Sequence, residues 1–265
     1  MRITRFVYLI FSLLCIATLF ALSISYGYRP FLTVLMILVL VPNYFLRADD
    51  RRRTARIIFD YSNNCDPDFY IEKMRKYRRG CFLSRKQKMV YKLYDCVALI
   101  DAGRFQEVLD ILIEIDEAKV PLDDMTNILL IKNWCEYFYY NNYDVKLKQA
   151  ILRLKNLITN SKNFDVRNGS GLIYHNLEAK YYILSGENLP RARKIYTDVT
   201  NFAPSRLNVA RAMYELALID IKENRYNEAL DRLKKVSELN DSLYIVRKSR
   251  EIISQYEEYK NGAIL

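Results

Sequence analysis

The sequence predicts an all-α protein, a two-helix transmembrane hairpin followed by an α-solenoid of stacked helical hairpins. Three observations carry this reading. Residues Phe6–Ile24 hold no charge over 19 positions, and a second apolar run, Phe31–Leu46, follows six residues later. Glycine and proline, 7 and 6 in 265 residues, are too scarce for the many tight turns of sheets and barrels. From residue 63 onward, apolar residues recur at i, i+3, i+4 and i+7, the spacing of an amphipathic helix. A hydrophobic content of 51% beside 27% charged residues excludes a disordered chain and a mainly membrane-embedded one.

The first element, residues 1–48, is the anchor. A helix rises about 1.5 Å per residue, so Phe6–Ile24 just crosses a hydrocarbon layer of about 30 Å. The second run has 16 residues with Pro42 and Asn43 near its end, and a re-entrant segment stays open for it. Arg2 and Arg5 precede the first run, and Arg47, Arg51, Arg52, Arg53 and Arg56 follow the second, while the link holds only Arg29. Cations stay on the cytoplasmic side. The expectation is a multi-pass protein of the cell membrane, with its N-terminus and C-terminal domain both cytoplasmic. A cleaved signal peptide ending near Ala21-Leu22-Ser23 is the rival, and it leaves the domain cytosolic with the second run as its anchor.

The second element, residues 49–82, is a basic neck with a helix over Asp66–Arg79. Of the net charge of +10, all lies in residues 1–100, which hold 17 Lys/Arg against 7 Asp/Glu. The remainder carries 24 of each sign. Cations gathered beside an apolar segment suit anionic lipid headgroups, whereas nucleic-acid binding spreads them over a folded surface. Membrane lipid is therefore an expected partner and nucleic acid is not. Arg51, Arg52, Arg53, Arg56, Lys73, Lys76 and Arg79 are expected at the membrane surface, with a solvated helix face as the alternative.

The third element, residues 83–265, reads as repeated helical hairpins. Four apolar sets mark the second helices: Phe105, Val108, Leu109, Leu112 and Ile113; Leu147, Ala150, Ile151, Leu154 and Leu157; Leu189, Ala192, Tyr196 and Val199; Tyr226, Ala229, Leu230, Leu233 and Val236. Each follows a turn, at Ala102-Gly103-Arg104, Asn141-Asn142, Ser185-Gly186-Glu187 and Glu223-Asn224-Arg225, where Gly or Asn tolerates the left-handed backbone that ends a helix. Alignment on Val108, Ala150, Ala192 and Ala229 spaces the units by 42, 42 and 37 residues. Residues 241–260 read as a final helix with a polar outer face, a cap for the last unit.

Ala192, Tyr196 and Pro204 follow a small residue, an aromatic and a closing proline, and Tyr226 and Ala229 sit likewise in Glu223–Asn240. In this the chain resembles the tetratricopeptide-repeat (TPR) family, with Trp134 where that family's first-helix tryptophan falls. The resemblance spans residues from about 83 to 260. It is degenerate: the intervals exceed the family's 34 or so, and Tyr137 and Phe138 stand where the family has Leu-Gly. An irregular helical bundle is the alternative architecture.

Nothing in the sequence calls for catalysis. There is no GxxxxGK and no GxGxxG. His175 is the single histidine, placed in a helix and read as packed or surface-exposed, so a Ser or Cys nucleophile lacks a base. Five scattered cysteines form no CxxC, which removes zinc spacing; Cys96 and Cys135 read as small buried apolar groups. Asp116-Glu117, Asp123-Asp124 and Glu257-Glu258 sit near helix ends, with Asp123-Asp124 read as a cap. No cofactor, metal or small-molecule substrate is expected.

The TPR resemblance implies a concave groove lined by the first helix of each unit, which binds a protein or peptide segment. Mapping that pattern nominates Lys132, Tyr139 and Asn142, then Tyr174 and Tyr181, then Arg211, Tyr214 and Lys222. The implied function is a non-catalytic, membrane-tethered scaffold. Its rivals are a structural subunit assembled through the transmembrane hairpin and a peptide-binding sensor.

Overall fold

The computed structural model describes Leu14, Ala17, Thr18 and residues 52–79, 83–203 and 205–260. The apolar runs 6–24 and 31–46, save those three residues, lie outside this set, as do Arg51 and Pro204. Among the described residues, no helix is long and apolar enough to cross a membrane. All regular structure in the set is helical. After helical residues 52–64 come α1 (Pro67–Arg78), α2 (Arg85–Asp101), α3 (Phe105–Glu117), α4 (Asp124–Tyr140), α5 (Asp144–Asn160), α6 (Phe164–Gly169), α7 (Gly171–Ser185), α8 (Leu189–Phe202), α9 (Arg206–Lys222), α10 (Tyr226–Ser237) and α11 (Tyr244–Lys260).

The chain divides into two compact units, one of residues 1–59 and 73–82 and the other of residues 60–72 and 83–265. In the first, Arg52, Arg53, Arg56, Lys73, Lys76 and Arg79 are all exposed. The second holds the helical hairpins.

Local chemistry explains where these helices start and stop. Ser84 caps α2 through a reciprocal pair with Gln87, Asp123 accepts from the Thr126 amide ahead of α4, and Ser205 accepts from the Asn208 amide ahead of α9. Asp66 accepts from the Phe69 amide at 3.0 Å ahead of α1. Three hairpin turns share one geometry. Gly103, Asn142 and Asn224 have φ of 71°, 58° and 59°, and the next residue's amide reaches back to Leu99, Phe138 and Asp220 at 2.9 Å or less. This is the Schellman closure, which satisfies carbonyls left open at a helix end. The fourth turn differs, with Gly186 at φ 78° and Asn188 at φ 41°.

These turns correct the repeat register. The second helices begin at Phe105, Asp144, Leu189 and Tyr226, so the fourth residues of each are Val108, Leu147, Ala192 and Ala229. Leu147, fully buried, takes the place expected of Ala150, which is only half-buried. Both lie on the apolar face of α5, so periodicity alone does not separate them; the left-handed Asn142 does.

Helices α2 with α3, α4 with α5, α7 with α8 and α9 with α10 form successive hairpins, and α2, α4, α7 and α9 touch in that order. Three buried clusters follow the chain: one around Leu93, Cys96, Val108 and Leu112, one around Ile128, Cys135, Leu147 and Leu154, and one around Ala179, Ala192, Leu216 and Ile219. Cys96 and Cys135 are fully buried, and burial first, then neighbouring acids, push both thiols up to about 12. Helix α11 packs on α10, and it also reaches α2. The Tyr244 ring meets Phe105 and Tyr140 edge-on at 5.1 and 5.5 Å, and Arg247 donates to the Ala102 carbonyl at 2.7 Å. The last helix therefore contacts the first hairpin as well as its neighbour.

Candidate functional site

Helices α4, α7, α8 and α9, with the end of α2, surround a cavity of about 850 Å³. Its floor is ionic. On α4, Glu136 takes the Lys180 ammonium of α7 at 2.7 Å, and Lys180 also meets Glu215 of α9 at 3.2 Å. Glu215 accepts the Tyr139 hydroxyl at 2.5 Å. Lys180 further lies over the Tyr139 and Tyr140 rings, 4.5 and 4.7 Å from their centroids, so the cation is enclosed by two carboxylates and two π faces.

The charges are set by position within this chain of groups. Burial opposes ionisation of Glu136, yet Lys180 and Lys132 hold its carboxyl down at about 2. Glu215 is moved the other way, since burial outweighs what Lys180 and Tyr139 return to it. Burial also works against the Lys180 ammonium, and Glu136 and its other neighbours overcome it and raise the group well above the ordinary value. Lys132 is less well compensated: burial lowers its pKa despite the upward pull of Glu136, whose carboxylate oxygen is 3.8 Å away, and of Asp101.

A second ionic group closes one end of the cavity. Arg211 of α9 donates to Asp101 of α2, with Nε to Oδ1 at 2.9 Å and Nη2 on Oδ2. Tyr61 donates its hydroxyl to the same Oδ2, and Arg211 Nη1 reaches Asn208 at 3.3 Å. Above the floor the wall is apolar. Ile195, Val199 and Phe202 follow one another at i, i+4 and i+7 on α8, and Leu172 and Ile173 stand on α7. Phe202 is 82% and Leu172 65% exposed, an apolar lip to the site.

Of the residues nominated from the sequence, Lys132 and Arg211 line this cavity. Tyr139 and Tyr214 are core residues, each 6% exposed. Asn142 is the left-handed turn residue after α4, and Lys222 is exposed in the last turn of α9. Tyr174 bonds Glu178 at 2.9 Å, and Tyr181 lies under Lys148 with its hydroxyl 3.5 Å from Glu187. Neither lines the cavity. The cavity uses instead Glu136 and Tyr140, Asn176 and Lys180, and Glu215. Lys180 and Glu215 stand one position from the nominated Tyr181 and Tyr214, and one residue turns a helix by about 100°. A signal was present: each is a mid-helix charge with an apolar or aromatic residue on either side, which a solvated face does not require.

His175 sits on the rim, half-exposed, with Nδ1 3.7 Å from Glu178. Among the described residues, no group of three or more His, Cys, Asp or Glu is placed to hold a metal ion. No protein-family model, curated protein or solved structure matches the chain.

Proposed function

We propose that this chain is a non-catalytic, membrane-tethered scaffold whose helical-hairpin domain recruits a protein partner through the cavity ringed by α4, α7, α8 and α9. The reading rests on one observation above others: a cavity of about 850 Å³ whose ionic floor is joined to an exposed apolar lip at Leu172 and Phe202. Exposed apolar side chains beside a concave site are what a docking segment covers. The TPR resemblance and the degenerate repeats support a peptide-binding groove, and the apolar runs 6–24 and 31–46 support tethering to the cell membrane from the cytoplasmic side. Holding a partner there raises its effective concentration without any reaction.

The test is affinity capture of the full chain from native membranes, compared with Leu172→Asp/Phe202→Asp. Both positions are exposed, so the variant keeps its fold; alanine at the buried Tyr139 or Tyr214 would confound binding with stability. A reproducible partner lost in the folded variant supports recruitment, and an unchanged partner list sinks it. Protease accessibility of the C-terminal domain in sealed vesicles checks the orientation separately.

A sensor is the second reading, favoured by the Tyr61–Asp101–Arg211 group. Tyr61 belongs to helical residues 52–64, on the membrane side of the sequence, while Asp101 and Arg211 line the cavity. An occupant that drew Arg211 away from Asp101 would alter what holds Tyr61.

A further inference from the structure

The carboxylates at the base of the cavity are already engaged. Asp101 is held by Arg211, Glu136 by Lys180, and Glu215 by Lys180 and Tyr139. On the rim, Arg191 is held by Glu178 at 2.6 Å, and Lys194 stands exposed to solvent on α8. One inner cation remains loosely paired. The Lys132 ammonium is 3.8 Å from a carboxylate that already takes Lys180 at 2.7 Å, and its side chain is one-quarter exposed towards the cavity. An ammonium has three donors and no acceptor, so the group it lacks is an anion.

We infer, building on the recruitment reading above, that the cavity takes a segment of a partner protein that carries an Asp or Glu flanked by aliphatic or aromatic residues. Its carboxylate pairs with the Lys132 ammonium, and the flanking side chains cover Ile195, Val199 and Phe202. The apolar stripe on α8 explains why an isolated anion is not sufficient: the same occupant must bury Phe202, which is 82% exposed.

The experiment pans a phage library of random twelve-residue peptides against the full chain in phosphatidylcholine nanodiscs. Selected sequences are then measured by fluorescence anisotropy. The expected selection is enriched in Asp or Glu next to apolar residues. Lys132→Met should weaken such a peptide by ten-fold or more, and replacing the peptide's acid by its amide should weaken binding to the wild type while making wild type and Lys132→Met equivalent. Circular dichroism and thermal melting accompany each variant, and Phe202→Asp, on an exposed position, serves should Lys132→Met melt early.

Two kinds of result overturn the inference. Selected peptides without an acid, or an acidic peptide indifferent to Lys132→Met while Phe202→Asp abolishes its binding, remove the carboxylate anchor and leave groove recruitment standing. Selection of no peptide, or of peptides unaffected by Phe202→Asp, removes the recruitment reading itself.

Discussion

Asp101 and Arg211 stand 110 positions apart in the chain and meet at the end of the cavity, with Arg211 Nε 2.9 Å from Asp101 Oδ1. Burial weakens the guanidinium charge, yet Asp101, joined by Tyr61, raises its pKa further above the ordinary arginine range. The pair ties α2 to α9, which are otherwise linked through α4 and α7 and through α11, which touches both.

Breaking this pair from one side leaves a charge in a mostly buried place. Asp101→Asn and Arg211→Met are each expected to destabilise the domain by about 3 kcal/mol. The double variant should cost clearly less than the sum, because neither charge is then left alone. Urea unfolding followed by far-ultraviolet circular dichroism measures all three, and strict additivity would contradict the coupling.

Glu136 and Glu215 share Lys180 but should differ in pH response. The Glu136 carboxyl is depressed to about 2 from an ordinary 4.5, so its contribution is complete above about pH 4.5 and is lost as pH falls towards 2. At neutral pH, Glu136→Gln should therefore cost on the order of 3 kcal/mol, with the difference from wild type closing across that acid window. Glu215 is shifted upward, so the folded state binds its proton more readily than the unfolded chain does. Stability from this group is present at acid pH and declines as pH rises through and above 4.5. Glu215→Gln should accordingly cost less than Glu136→Gln at pH 7. Equal losses would refute the asymmetry.

Two left-handed glycines separate backbone strain from steric contact. At Gly103, φ is 71° and an added Cβ would stand 2.7 Å from the Tyr244 ring. At Gly186, φ is 78° and nothing lies within 4 Å. Gly186→Ala should cost about 1 kcal/mol, the left-handed penalty alone. Gly103→Ala adds displacement of Tyr244 and should cost about 3 kcal/mol. A thermal-melting comparison checks the ordering, which also tests whether α11 is seated against the first hairpin.

Cys96 and Cys135 are buried, with thiols pushed up to about 12, first by burial. At pH 7, maleimide should leave both unmodified in the folded chain and reach them only on unfolding. Peptide mapping by mass spectrometry after a timed pulse gives the answer, and labelling of either residue in the native protein would place it outside the core.

How much was legible in the sequence depends on how far apart the deciding atoms are. The turns at Gly103, Asn142, Gly186 and Asn224 were readable because a left-handed residue acts on the few carbonyls before it. So were the caps at Asp123 and the helices themselves, whose apolar faces repeat within one or two turns. The placement of Ala150 went wrong by three residues because i and i+3 share a face, and only the turn geometry chooses between them. Among the nominated residues, Lys132 and Arg211 line the cavity, whereas Tyr139, Tyr181 and Tyr214 stand next to cavity residues, and a single position rotates a side chain from the cavity to the core or the outer surface.

By itself, then, the sequence determined the helical class, the order of the hairpins and the apolar faces, all of which follow from interactions within about eight residues. Tertiary structure alone decided which charges lie inside. Lys180 is tolerated at mid-helix because Glu136 and Glu215, 44 positions before it and 35 after it, converge on its ammonium. Asp101 finds Arg211 across 110 positions, and Tyr244 reaches the turn at Gly103 from the far end of the chain. Buried charges need partners at hydrogen-bond distance, and no local pattern along the chain says which distant residue will be brought there.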